Sequence, residues 1–300
     1  VKVVLDMDPG VDDSIALLLA LHNPQLEVLA VTTVSGNVSL RKATANALKI
    51  VQASEKHAPV YMGASRPLGG RRPVHAESIH GSDGLGNSHL PAPRQRPEKT
   101  GVVEMLVDLI KTHRRKELSM VATGPLTNVA LLFKREPSLV ARLDRVFVMG
   151  GVYDPLVGGN VTKYAEFNFY CDPEAAGIVM KDGRAIVSSG LDVTGDPACA
   201  VDADMLAAIR SFRSRPADLA CRILQHPVSR YSQFNLHDVF ALFSLLYSDI
   251  FETERCSVRV DCSKATRGRC IVTPSDRGNV LVCKKVDSVR FKELLVDGLR

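Results

Sequence analysis

The chain opens VKVVLDMDPGVDD, Val1 to Asp13, and the reading of this stretch decides the rest. Val1–Met7 has the apolar, β-branched composition of a buried strand. Pro9-Gly10 interrupts it, and from Val11 the apolar residues recur at helical spacing. A strand, a turn and a helix are the first unit of an α/β fold. The same stretch packs four carboxylates, Asp6, Asp8, Asp12 and Asp13, into eight residues. Asp6 and Asp8 point to one side of the strand, and Asp8 lies at its carboxyl end, where open α/β sheets bind ligands.

The alternation continues. LEVLAVTTV, APVYM, LSMVAT, RVFVMG and RAIVSS read as further strands, and SLRKATANALKIVQ, GVVEMLVDLIKTH, LTNVALLFKR and DPEAAGIVMK as helices between them. The pattern predicts an α/β fold: a mostly parallel open sheet with helices on both faces. In the final third, helical stretches near 203–210, 216–224 and 237–246 precede CSVRVDC, RCIVT and NVLVCKK. These three read as a small antiparallel element near the C-terminus, before a closing helix. Without an internal repeat or linker, residues 1–300 read as a single domain. The longest irregular stretch, Pro67 to Lys99, is of a length more often functional than idle.

Composition narrows the function classes. Lys and Arg outnumber Asp and Glu by 38 to 33, but they are scattered, which argues against a nucleic-acid stripe. Seven cysteines without a CxxC pair fit neither a disulfide framework nor a zinc cluster and read as reduced thiols of a cytoplasmic protein. No apolar run has the length of a membrane span, and the N-terminal segment reads as a strand instead of a signal peptide. The expectation is a cytoplasmic protein with neither nucleic acid nor membrane as partner.

The acidic cluster has a bland reading: Asp8 as helix N-cap, Pro9 at the first helical position, and acidic residues favoured by the helix dipole. Capping accounts for one or two carboxylates. Four at a partly buried strand end repel one another unless they share protons or a hard cation such as Ca²⁺ or Mg²⁺. Polar groups for such a rim follow the other strands: Asn37 in SGN, Thr123 in ATGPLTN with a carbonyl to offer, and the turn VMGG. Asn160, Glu166 and Asn168 supply groups of the kind that bind sugar hydroxyls, and His237-Asp238 opens an apolar helix. Each alone reads as an ordinary turn or cap.

Taken together, DMDPGVDD, TVSGN, ATGPLTN, VMGG, AEFNFYCDPEAA and LHD resemble, in order, the landmarks of the inosine-uridine preferring nucleoside hydrolases, the nucleoside N-ribohydrolases. The resemblance runs from about residue 3 to 245. It implies Ca²⁺-dependent hydrolysis of the N-glycosidic bond of ribonucleosides to ribose and free base. By position it implies that Asp8, Asp13, the Thr123 carbonyl and Asp238 hold the cation. Asp12, Asn37, Met149 through its backbone, Asn160, Glu166 and Asn168 would grip the ribose, and His237 would stand near the base. Asp6 would orient the ligands from behind. The chain departs from the family pattern at Val239, where many members have proline, and in minor ways at Ser35 and Cys171. The family commonly forms dimers or tetramers, so a homodimer or homotetramer is expected.

Breaking a ribosyl C–N bond needs a nucleophile on one face of the sugar and help for the departing base. A cation-acidified water with Asp8 as its base supplies the first, and His237 the second, with His80 and Tyr231 as further base-side candidates. Purine-specific members of the family stack the base on tryptophans. This chain has no Trp, so the resemblance points to a pyrimidine-preferring or broad enzyme acting on uridine, inosine and cytidine. Two other classes remain open at this level. The Asp6-x-Asp8 pair also resembles the motif of haloacid-dehalogenase-like Mg²⁺ phosphatases, and a nucleoside-binding protein without catalysis would need the same contacts.

Overall fold

The computed structural model describes every residue of the 300-residue chain except Arg184. Six strands form the parallel part of the sheet: β1 (Lys2–Met7), β2 (Glu27–Thr33), β3 (Val60–Met62), β4 (Leu118–Ala122), β5 (Val146–Met149) and β6 (Ile186–Ser189). They lie in the order β6-β5-β4-β1-β2-β3. The first residue of the expected RAIVSS strand, Arg184, lies outside the described residues. A two-stranded ribbon, β7 (Val201–Asp202) with β8 (Gln233–Phe234), sits apart from the sheet.

The late strands are β9 (Phe251–Val260), β10 (Cys270–Pro274) and β11 (Val280–Val286). They pair antiparallel, as the sequence predicts, but they are not a separate layer. β11 adds parallel to β6, β9 turns back along β11, and β10 closes the edge, giving nine strands in one sheet. A hydrophobic pattern sets pairing sense and face better than it sets which edge a hairpin joins.

The helices are α1 (Val11–His22), α2 (Leu40–Ala53), α3 (Glu77–His80), α4 (Val102–Thr112), α5 (Thr127–Arg135), α6 (Pro137–Val140) and α7 (Phe167–Cys171). They continue with α8 (Pro173–Asp182), α9 (Leu191–Thr194), α10 (Ala203–Ser211), α11 (Arg215–Tyr231), α12 (His237–Leu246) and α13 (Ser288–Asp297). Both faces of the sheet are covered, which is why its central strands are apolar throughout. Successive residues of a strand serve opposite cores. Val3, Leu5 and Met7 pack with α1, α11, α12 and α13, whereas Val4 packs with α4, α5 and α8. Asp6 and Asp8 fall on the Val4 side, at the sheet's carboxyl edge.

α12 is an apolar helix packed across β4, β5 and β6 and against α1, so its N-terminus, with His237 and Asp238, is carried to the same edge as Asp8. It is pinned by fully buried rings: Phe291 of α13 stacks on Phe240 at 4.2 Å between centroids and tilts against Phe243 at 5.2 Å. Phe291→Ala is expected to cost about 3–5 kcal/mol by opening a cavity under α12. A denaturant midpoint that does not move relative to the parent chain would contradict this packing.

Candidate active site

Along the sheet, β2 and β3 extend to one side of β1 while β4, β5 and β6 extend to the other. The crevice between the carboxyl ends of β1 and β4 is therefore the topological switch point, where such sheets bind ligands. Asp8 follows β1 and Thr123 follows β4, with Thr123 N–H donating to the Asp6 carbonyl at 2.8 Å. The Asp8 carboxylate sits between Gly36 and Gly124, where a Cβ on either glycine would overlap it. Asn37 N–H donates to Asp8 Oδ2 at 2.5 Å.

The capping reading fails for Asp8 and holds in part for Asp13. Gly10 is the N-cap of α1, and its N–H donates to Asp13 Oδ2 at 3.0 Å. Asp13 also accepts from Asn37 Nδ2 (3.0 Å), Thr123 Oγ1 (2.8 Å) and the Asp8 N–H (3.3 Å). Asp6, fully buried, accepts from Thr32 Oγ1 (2.5 Å) and Asn128 Nδ2 (2.7 Å).

These donors do not satisfy the cluster. Asp6 Oδ2, Asp8 Oδ1, Asp12 Oδ1 and Asp238 Oδ2 are all buried with no hydrogen-bond partner among the described residues. Burial, reinforced by Asp13, pushes Asp8 well above the carboxylate range and Asp12 up to about 7. Burial and then Asp12 raise Asp238 strongly, and burial alone takes Asp6 to about 6. Asp12, Asp13 and Asp238 each offer an oxygen within 4.8 Å of the others. Asp12, expected on the ribose, thus stands with two of the expected cation ligands. Asp8 lies outside this tightest group, although its Oδ1 is free while the Asn37 amide holds Oδ2.

The ribose candidates are held largely by one another. Glu166 is the N-cap of α7: its Oε1 accepts from Asn168 N (2.8 Å), and its Oε2 from Gly151 N (3.0 Å) and Phe169 N (3.1 Å). Gly151, at φ +85°, adopts the left-handed backbone that turns this N–H inward, which is why the VMGG turn ends in glycine. Asn168 Nδ2 donates to the Thr123 carbonyl at 2.7 Å and the Met149 carbonyl at 3.2 Å. The carbonyl expected to face a cation therefore already carries one donor, and a carbonyl oxygen has a second lone pair. Burial, against three backbone donors, lifts Glu166 to about 7.

Above this floor lies a cavity of about 640 Å³, within the range that encloses a small ligand. Asp12, Asn37, Thr123, Met149, Glu166, Asn168 and Asp238 line its base, with Asn160, His80, His237 and Tyr231 around the upper part. His80, expected from its loop position, belongs to α3 within the Pro67–Lys99 segment and is buried. Val11 N–H donates to its Nδ1 at 3.0 Å, so its proton sits on Nε2. Tyr231 is partly exposed and spans the mouth, its hydroxyl donating to the Ser78 carbonyl at 3.2 Å. Burial lowers both His80 and His237 to about 4.

Three contributors escaped the reading of the sequence. Asn128, the last residue of ATGPLTN, ties Asp6 to the Thr33 carbonyl and accepts from Ala64 N. Asp192 and Thr194 follow β6: the Asp192 carboxylate takes the N–H groups of Tyr153 and Asp154, and Thr194 Oγ1 meets His237 Nδ1 at 2.8 Å. The signal was available, since LDVT follows the sixth strand as the other rim segments follow theirs.

A crevice of buried carboxylates and amides at the switch point of an open α/β sheet is a place for a small ligand, and similarity to known proteins identifies its class. The family model for inosine-uridine preferring nucleoside hydrolase matches residues 3–293. The chain is 36% identical to the probable uridine nucleosidase 1 of Oryza sativa subsp. japonica, over 90% of this chain and 82% of that one. It is 37% identical to the pyrimidine-specific ribonucleoside hydrolase RihA of Shewanella sp. (strain ANA-3), over 99% and 95%. Its structure resembles the purine-preferring ribonucleoside hydrolase from Gardnerella vaginalis with a TM-score of 0.93 at 27% identity, covering 100% and 98% of the two chains. The chain belongs to the inosine-uridine preferring nucleoside hydrolase family and is an N-glycosidic bond hydrolase. The phosphatase and non-catalytic readings fall away. No helix among the described residues is long and apolar enough to cross a membrane.

The raised Glu166 makes stability depend on pH. Folded, it keeps its proton up to about 7; unfolded, it loses it near its ordinary 4.5. Its contribution is therefore complete below pH 4.5 and is lost as pH rises through 7. Melting temperatures of the protein without divalent cations are expected to fall across that window, and the slope to flatten in Glu166→Gln. An unchanged slope in the variant would refute the assignment.

Proposed function

We propose that this chain, working as a single nucleoside hydrolase domain, hydrolyses ribonucleosides to ribose and free base with Ca²⁺ as its cation, and that uridine, cytidine and inosine are its substrates. The observation that carries the metal requirement is the set of buried carboxylate oxygens without partners among the described residues, of which those of Asp12 and Asp238 belong to residues lining the cavity. A cluster of hard anionic oxygens with a backbone carbonyl suits Ca²⁺ in donor type and number. Asp8, Asp13, the Thr123 carbonyl and Asp238 would hold it, with Asp12 close enough to share the site. When bound, such an ion lowers the pKa of water and takes sugar hydroxyls into its oxygen shell.

The protein's own groups do the rest. Asp8 Oδ1, free of other partners, takes the proton of the attacking water. Asp12, Asn37, Asn160, Glu166, Asn168 and the Met149 carbonyl hold the ribose and stabilise it as its ring gains oxocarbenium character. On the other side of the scissile bond, His237 and His80, both neutral at physiological pH, offer N–H groups to the departing base, and Tyr231 closes the mouth.

A pyrimidine or broad preference is supported by the uridine and pyrimidine specificities named for the rice and Shewanella relatives and by the absence of Trp. We also infer a cytoplasmic homodimer or homotetramer. Asp8→Asn is expected to keep the fold and lose at least about 1,000-fold in turnover, as removal of an essential base does. Initial rates on uridine, cytidine, inosine and adenosine, with and without a Ca²⁺ chelator, test the rest. Activity indifferent to the chelator would remove the cation from the proposal, and activity on purines alone would remove the preference.

A further inference from the structure

Thr194 is fully buried at the end of α9 and touches neither the cavity nor the carboxylate cluster. Three contacts fix its segment. Asn235 Nδ2 donates to the Thr194 carbonyl at 2.9 Å and to the Asp196 carbonyl at 3.1 Å, joining the segment to the approach of α12. Asp192, two residues earlier, holds the backbone of Tyr153 and Asp154. Thr194 N–H is taken by the Gly190 carbonyl at 3.0 Å.

The hydroxyl is then left with a single partner among the described residues, His237 Nδ1 at 2.8 Å. A buried hydroxyl with one neighbour capable of accepting gives it its proton. Nδ1 is therefore the acceptor, and the imidazole proton resides on Nε2. Among the described residues that nitrogen has no hydrogen-bond partner, and His237 lines the cavity. We propose that Thr194 is a positioning residue: through its hydroxyl it holds the His237 ring in one orientation and one tautomer, so that Nε2–H is aimed at the base as the C1′–N bond breaks.

The consequence is chemical. A ring held this way can only donate, so it supports leaving groups that accept a hydrogen bond as electrons flow onto them, such as a uracil carbonyl or a purine ring nitrogen. His80 is held in the same tautomer by the Val11 N–H, so the base end of the cavity presents two donors of one kind. The proposal rests on the reading that His237 serves the base, and the experiment separates the two.

Thr194→Val keeps the shape of the side chain and deletes the hydroxyl; Thr194→Ser keeps the hydroxyl. On uridine, Thr194→Val is expected to lose roughly 10–100-fold in kcat, the usual cost of removing a group that orients another, with KM little changed. On p-nitrophenyl β-D-ribofuranoside, whose leaving group departs without hydrogen-bond help, the loss is expected to be at least about tenfold smaller. Thr194→Ser restores uridine turnover, and in a His237→Ala background Thr194→Val has no further effect. Equal losses on both substrates, or no loss on uridine, would overturn the role of Thr194. Full uridine turnover in His237→Ala alone would instead overturn the base-side reading of His237 on which it rests.

Discussion

The structure is organised around the cost of keeping several carboxylates dry at one point. Asp6, Asp8, Asp13 and Asp238 are almost wholly inaccessible and Asp12 nearly so, yet an isolated buried carboxylate is strongly disfavoured as an anion. The fold offsets part of this with fixed donors: Asp13 takes hydrogen bonds on both oxygens, Asp6 has Thr32 and Asn128, and Asp8 has the Asn37 amide. What it leaves unpaired is as informative. The orphaned oxygens of Asp8, Asp12 and Asp238 belong to different segments, and a single cation is the economical way to serve carboxylates converging from a strand end and two helix starts.

The rest of the architecture follows from bringing those segments together. The parallel sheet puts Asp8, Asn37, Thr123 and Met149 on one edge because each lies at or just beyond the carboxyl end of a strand. Asp238 is the outlier, reached only because α12 packs across β4, β5 and β6 with Phe240 and Phe243 locked under Phe291. A stability element far from the crevice therefore helps fix the distance between carboxylates. Gly36 and Gly124 act at the other scale: their missing side chains let Asp8 approach two turns at once.

Much of this was legible in the residues. Strand ends, the Pro-Gly turn and the spacing of polar landmarks identified the crevice before any coordinate did, because local pattern fixes where strands stop and a parallel sheet sends every stop to one edge. What the pattern could not give was the pairing among side chains that meet only in three dimensions. The bland alternative made Asp8 the N-cap of the first helix, whereas Gly10 caps α1 and Asp13 takes its N–H. Glu166 read as a group for the sugar, and it also caps α7 and fixes Gly151. The joining of β11 to β6 was equally invisible, since nothing in an apolar hairpin states which open edge it completes.

A division of labour follows. The groups proposed for cation and ribose, apart from Asn160 in the segment between β5 and α7, stand on the sheet edge and on helix starts packed against it, where hydrogen bonds hold them. Those proposed for the base come from helix ends: His80 from α3 within the long Pro67–Lys99 stretch, Tyr231 from the end of α11, and His237 from the first residue of α12. Each needs an outside group to hold it, and each has one: Val11 N–H for His80, the Ser78 carbonyl for Tyr231, Thr194 for His237. On the proposed roles, a sugar held by a rigid edge and a base held by tethered side chains would let the choice of base change without disturbing most of the carboxylates. It would also place determinants of that choice in the tethers, which the chemistry of the sugar gives no reason to suspect.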